Sequence, residues 1–356
     1  MKLSALFFFG FGLSVFIVSC SKSDTNPAPI VITIPPRDST ITKKDTTEDV
    51  YIVGNLWNQV GYWKNSRFVA LATGNNPFGC DMAFSGTNIY VLGQINDSIG
   101  YWKNGDFNFL ALADTVTTAS ITVVGSDVYT LLQIQTGLWN GDLYKNTTLY
   151  SQVPTVSQPG LTKIYSNDSD LYIPGTDMNL PGNAVFWKNG ILNQLTNFVH
   201  SGHACDLVTN EADIYIAGST YDHKDNTEIV TYWKNNTAFY LSDSASFGRA
   251  TAIAFSNGNV YAAGSVVPGN FTQGFGPVVQ AVVWKNGIAT VVTPSGYSDV
   301  VQGFAVNGSD VYVSVSSSVP GPYNLIPRYY KNGVVVNYID NTTTQGLGRR
   351  IFVRPR

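Results

Sequence analysis

Seven copies of one short signature constrain what this chain can fold into. The best copy is Ala281-Val282-Val283-Trp284-Lys285-Asn286-Gly287. Its Lys-Asn pair recurs at Lys64-Asn65, Lys103-Asn104, Lys145-Asn146, Lys188-Asn189, Lys234-Asn235 and Lys331-Asn332, preceded by Trp in five copies and by Tyr144 or Tyr330 in the others. Upstream of each pair stand Asp or Asn, an aliphatic residue and then Tyr, at Tyr51, Tyr90, Tyr129, Tyr172, Tyr215, Tyr261 and Tyr312. Two signals recurring in register describe a structural unit. From Asp49 to Arg356 the units average about 44 residues, the length of a four-stranded propeller blade. Such an array remains one domain, because each unit buries its faces only against its neighbours.

The unit from Thr251 to Val292 reads as four strands. Ala252 to Phe255 is apolar on both sides, as an innermost strand between neighbouring sheets must be. Ser256-Asn257-Gly258-Asn259 is a tight turn, since Asn-Gly tolerates the positive φ it requires. Val260 to Gly264, Val279 to Trp284 and Ile288 to Val292 follow as second, third and outer strands. Charged residues and aromatics are each 13% of the chain, with 33 Gly and 16 Pro, a composition that suits short buried strands and tight turns. The first unit lacks an inner strand before Asp49, whereas the chain ends on Gly348 to Val353, an inner strand without a sheet. The last strand should therefore complete the first blade and remove the open edges of a linear array. The fold class is all-β: a seven-bladed β-propeller of four-stranded blades, closed in the first blade by the C-terminal strand.

The Trp-Lys-Asn-Gly signature resembles HAF-type extracellular repeats and, more loosely, kelch-type blades, over all of Asp49 to Arg356. It lacks the Trp-Asp and double-Gly marks of WD-type and kelch-type repeats, so the resemblance implies architecture and carries no activity.

The first 48 residues have a different character. Lys2, the apolar run Ala5 to Val18 and small Ser19 compose an export signal over residues 1–19. Ile17-Val18-Ser19-Cys20 resembles the bacterial lipobox, which implies lipidation of Cys20 and attachment to a membrane without a spanning segment. Residues 20–48 hold Pro27, Pro29, Pro35 and Pro36 among many Ser and Thr, and read as an extended tether that cannot build a core. Asp38-Ser39-Thr40 and Asp45-Thr46-Thr47 resemble bacterial O-glycosylation sites; a plain polar linker accounts for them equally.

Net charge is −3, which gives no basic footprint for nucleic acid. No nucleophile elbow, phosphate loop or paired catalytic carboxylate stands at a recognisable spacing, and no cofactor is expected. His200, His203 and Asp206 are spaced as metal ligands can be, but no second ligand pair accompanies them, and no metal is expected. The Lys-Asn pairs read as turn residues, and the motif tryptophans as core between blades. Cys80 and Cys205 fall in blades two and five, too far apart across a ring for a disulfide, and are expected free and mostly buried.

Loops of unequal length, such as Gly218 to Thr231, Gly264 to Gln280 and Asp243 to Arg249, all emerge on one face, the usual arrangement of a binding surface on a rigid scaffold. Aligned inner strands place Asp81, Lys163, Asp206, Arg349 and Arg350 around the channel mouth on that face, as a structural ion-pair ring or as a ligand site. With His203, Trp57 and Trp139 they form the ligand-binding candidates. Asp206→Ala and Arg350→Ala are expected to weaken a ligand with little loss of stability. The expected function is an envelope-anchored binding module for a glycan or protein, on the outer membrane with its facing left open. A polysaccharide hydrolase or lyase with acids at the channel mouth, and a structural envelope lipoprotein, are the alternatives. The lipobox reading is tested by Cys20→Ala, which should move the protein to the soluble fraction or leave it unprocessed; unchanged processing and membrane partition would refute it.

Overall fold

In a computed structural model the chain forms seven four-stranded antiparallel sheets. The structure describes residues 48–112, 116–134, 141–153, 162–167, 170–177, 182–197, 200–243, 247–267, 279–293, 298–318, 325–336 and 346–356. The expected leader, Cys20 and the tether up to residue 47 lie outside the described residues, as does Trp139. Blades two to seven each run inner strand to outer strand in chain order. Blade five, for example, is His200–Asn210, Asp213–Asp222, Thr227–Lys234 and Thr237–Tyr240. Blade one is built from both chain ends: Gly346–Pro355 pairs antiparallel with Glu48–Leu56, from Glu48 opposite Pro355 to Leu56 opposite Gly346. The ring closes as the sequence implies, with Glu48 already in the first strand.

The repeated signature is a clamp across the base of each blade. In blade four, Asn189 Nδ2 donates to Asp170 Oδ1 (2.7 Å), and its Oδ1 accepts from Leu171 N (2.8 Å). Lys188 Nζ reaches the other Asp170 oxygen at 2.8 Å and lies 5.4 Å from the Tyr172 ring centre. The clamping asparagines all take φ between 47° and 57°, a left-handed conformation that Asn tolerates and most residues do not. The pair is thus more than a turn: the Asn side chain ties the second strand to the third and so sets their register. Blades two and six keep the amide bond through Asn88 and Asn259, both at 2.8 Å. Among the described residues, Lys103 and Lys285 in these two blades have no carboxylate partner.

Alternation along the third strand explains the cores. Trp187 packs toward Leu131 and Leu143 of the preceding sheet, whereas Phe186 packs toward Leu207 and Ile216 of the next. All five motif tryptophans are buried, Trp233 being only 1% exposed. That burial rules out a repeated sugar-stacking edge, because no indole face is open to a ligand. Glu48 fastens blade one to blade seven: it is buried, accepts from Tyr312 Oη and Asn307 Nδ2, and lies 3.5 Å from Lys331 Nζ.

Closure has a measurable consequence. Ile351 is 2% exposed in the core between blades seven and one, while Phe352 and Val353 are half-buried. A fully buried aliphatic side chain contributes about 1.5–3 kcal/mol, against a typical net stability of about 5–15 kcal/mol, and the whole hydrogen-bonded ladder to the first strand goes with it. Deleting residues 348–356 should therefore abolish cooperative thermal unfolding and expose the chain to aggregation. A truncated protein that melts like the intact one would show that blade one does not need this strand.

Candidate functional site

The channel mouth is shaped by an irregularity that recurs in the inner strands. Pairing slips by one residue between Gly79 and Asp81, Ala204 and Asp206, Ala250 and Ala252, and Val301 and Gly303. In the closing strand the slip sets Arg349 and Arg350 against a single partner position, between Gly348 and Ile351. A β-bulge inserts one residue, twists the strand and re-aims its side chains. Cys80, Cys205, Thr251 and Gln302 occupy the inserted positions, and the residues after them sit where the blades meet.

Asp81 is 2% exposed. Its Oδ1 accepts from Met82 N (2.9 Å), and its Oδ2 accepts from Ser120 Oγ (2.6 Å), Ile121 N (3.1 Å) and Arg350 Nη1 (3.1 Å). Ser120 Oγ in turn accepts from Ile164 N at 3.1 Å. Asp206, 4% exposed, accepts from Leu207 N (2.8 Å) and Ile253 N (3.1 Å) and pairs with Lys163 Nζ at 2.6 Å. Val301 N donates to Ser265 Oγ (3.1 Å) and Ser314 Oγ to Arg349 O (2.8 Å). Read around the channel, these bonds join every blade to the next. Arg350 also crosses the channel to Thr162 O at 2.9 Å.

The ion-pair ring of the sequence reading is thus present, with Asp81 and Arg350 in one pair and Lys163 and Asp206 in another. Its acids hold the ring together. Truncating Asp206 strands two buried amides, at about 1–3 kcal/mol each, and leaves Lys163 without its partner. The expectation that Asp206→Ala and Arg350→Ala spare stability does not fit these contacts.

A second cluster lies at the loop end of blades four to six. Arg249 donates to Glu228 Oε1 through Nε (2.9 Å) and Nη2 (2.7 Å), and Ser219 Oγ donates to the same oxygen at 2.5 Å. His203 Nδ1 lies 2.9 Å from Thr176 Oγ1. Burial, reinforced by the nearby Arg249 charge, depresses the His203 pKa to about 4, against a smaller upward pull from Glu228, so the imidazole is neutral near pH 7. Lys163, Asp206, Arg249 and Arg350 line one cavity of about 330 Å³ with Cys205 and Thr251. Glu228 and Arg249 were not among the sequence candidates. Counting back from the Lys234-Asn235 turn puts Glu228 at the start of the third strand, a register hidden by the unequal loops before it.

The other candidates scatter. Arg349 stacks 3.8 Å from the Phe78 ring centre, and burial lowers its pKa. Trp57 is 53% exposed at the tip of a two-residue hairpin with φ 54°, a strained setting for a bulky residue. His223, in a loop of the same face, packs edge-on against Tyr221 at 5.0 Å. The spacing that suggested a metal is not realised as a shared site: Asp206 serves Lys163, His203 contacts Thr176, and His200 is exposed at the strand's start. Cys80 and Cys205 are free and buried, and burial raises their thiols to about 12 and about 11.

No protein-family model and no curated protein sequence matches the chain. Among solved structures it is similar to the β-propeller domain of the trilobed protease from Pyrococcus furiosus, with 12% identity and a TM-score of 0.54, over 85% of this chain and 97% of that one. That domain is described as having an open velcro topology, whereas here the two terminal strands pair. Acylaminoacyl peptidase from Pyrococcus horikoshii is 11% identical, with a TM-score of 0.49, over 83% of this chain and 51% of that one. At 12% identity the likeness to the trilobed protease domain shows the propeller fold and nothing of activity.

His203 gives the cluster a pH signature. The unfolded chain takes up a proton near pH 6.5, the folded chain only near 4. The stability this group contributes is full above about pH 6.5 and is lost as pH falls toward 4. Relative to His203→Gln, the wild-type protein should lose denaturant resistance between pH 7 and 4.5; parallel decline of the two would mean that His203 is protonated as easily folded as unfolded.

Proposed function

We propose that the propeller is a binding module whose ligand, a glycan or a protein, seats on the loop face over the channel mouth. One observation supports this reading above the others: in a chain with few charges, Lys163, Arg249 and Arg350 converge on a single cavity of about 330 Å³ over buried Asp206, a volume at the lower end of the ~300–1,000 Å³ typical of ligand sites. The equivalent positions of the other blades carry different chemistries, so the site is unique in the ring and should take one ligand per propeller. Exposed Trp57 offers an aromatic platform at the rim of the same face, suited to a sugar ring.

The hydrolase or lyase alternative needs a carboxyl group free to exchange a proton. Asp81 and Asp206 are both buried and saturated with amide and cationic donors, an arrangement that favours binding over acid catalysis. We further propose that lipid on Cys20 and the tether to residue 48 hold this face away from the envelope membrane. Among the described residues no helix is long and apolar enough to cross a bilayer.

The test is a screen of the full chain against an oligosaccharide array and against envelope-protein extracts, followed by stoichiometry on any hit. Arg249→Ala and Trp57→Ala should each weaken the hit about tenfold or more, Lys188→Ala should leave it unchanged, and one ligand should bind per propeller. Binding that ignores Arg249 and approaches seven ligands per chain would place the site on the repeated edge instead.

A further inference from the structure

On the opposite face, at the clamp end of the blades, the repeat breaks its own pattern. The residue before the motif Trp or Tyr points into the following blade, and it is Tyr62, Tyr101, Leu143, Phe186, Tyr232 and Tyr329 in six of the seven positions. These side chains fill the space beside the motif tyrosines: Tyr62 lies 6.0 Å from Tyr51, Tyr101 lies 6.3 Å from Tyr90, and Tyr232 stacks on Phe239 at 4.9 Å. In blade six the position is Val283, opposite Thr290 of the outer strand. A ring is missing there. A cleft of about 310 Å³ takes its place between blades six and seven, walled by Tyr261, Val283, Thr290, Val291 and Val313.

The rim is as distinctive as the walls. Lys285 lines the cleft and is exposed. Its blade carries Asn259 where five others carry Asp, so this lysine lies over the Tyr261 ring, 5.4 Å from its centre, and has no carboxylate partner among the described residues. Lys103 of blade two is the natural control, since it too faces an Asn, but Tyr101 fills the space beside it. Among the described residues, only blade six combines the vacant ring position with a lysine that lacks a carboxylate.

We infer that the cleft between blades six and seven is a second binding site, independent of the loop face, for a small aromatic acid. The ring of the ligand lies between Val283 and Val313, where Tyr or Phe stands in five other blades and Leu143 in the sixth, and its carboxylate meets the Lys285 ammonium. Apolar cavities of about 150 Å³ already hold a benzene ring, and an anion at the mouth pairs with a lysine that has no carboxylate partner among the described residues.

Phenylacetate, benzyl alcohol and acetate are the probes, titrated calorimetrically into the full chain. Phenylacetate should bind once per chain, benzyl alcohol more weakly and acetate not measurably. Val283→Tyr restores the repeat's own residue and should reduce phenylacetate affinity about tenfold or more while leaving the melting temperature equal or higher. Thr290→Phe, which copies Phe239 of blade five, closes the same space from the outer strand should Val283→Tyr fail to fold. Lys285→Met should reduce phenylacetate to the affinity of benzyl alcohol without affecting the alcohol. Absence of saturable phenylacetate binding, or binding that both filling variants leave intact, overturns the site; equal binding of acetate and phenylacetate would show a surface charge effect and overturn it as well. Arg249→Ala should not alter phenylacetate binding, which separates this site from the one on the loop face.

Discussion

The carboxamide of one asparagine per blade is the contact on which the rest of the ring rests. Held at positive φ, it donates to the Asp or Asn that opens the second strand and accepts from the amide of the next residue, as Asn235 does with Asp213 and Ile214 at 2.7 and 2.9 Å. Strand side chains alternate, so a slip of one residue would exchange the two faces of the third strand. Trp233 would then point where Tyr232 does, and each interface between blades would receive the wrong side chain. The lysine beside the asparagine adds less, because its ion pair is solvent-exposed and such pairs are individually weak. Blades two and six make the point within one molecule: they lose the anion, keep the amide bond and keep the same strand register.

Polar contacts perform two distinct tasks around the channel. Asp81 and Asp206 act as fasteners, each bridging from one inner strand to the next and satisfied by backbone amides as well as a cation. A buried carboxylate so supplied costs little to keep and much to disturb. Arg249, Glu228 and His203 lie further toward the loops, with Arg249 reaching back to Glu228 of the preceding blade. Their pairing leaves Arg249 more than a third exposed at its side chain, available to a molecule arriving from solvent. Separation of fastening from recognition lets the loops vary without loosening the scaffold.

Much of this architecture was legible from spacing alone, because Trp-Lys-Asn and Asp-x-Tyr recur together and every hairpin position follows from them. The strand exchange between termini was legible for the same reason: Asp49 opens on a second-strand signal and Ile351 closes on an inner-strand one. What alignment could not supply was the identity of partners across blades. Asp81 looks like any channel acid until Ser120 and Arg350 are seen to converge on it. Glu228 was hidden because the loop before it differs in length from its counterparts, and the inner strand of blade six runs from Phe247 to Ser256, longer than its apolar stretch suggests. Val283 was in plain view as part of the best repeat copy, yet its smallness gains meaning only beside the larger side chains, five rings and Leu143, that fill the other interfaces.

The pairing of Gly346–Pro355 with Glu48–Leu56 also orders events in time. A ribosome delivers Glu48–Leu56 before the other six blades and its partner Gly346–Pro355 after them, so six blades can assemble while the first remains three-stranded with an unpaired edge. An exposed edge of that kind invites pairing with another chain. Every copy of this propeller therefore passes through a window, as long as the synthesis of the intervening sequence, in which the open edge of its first blade must be kept from strangers until the closing strand arrives.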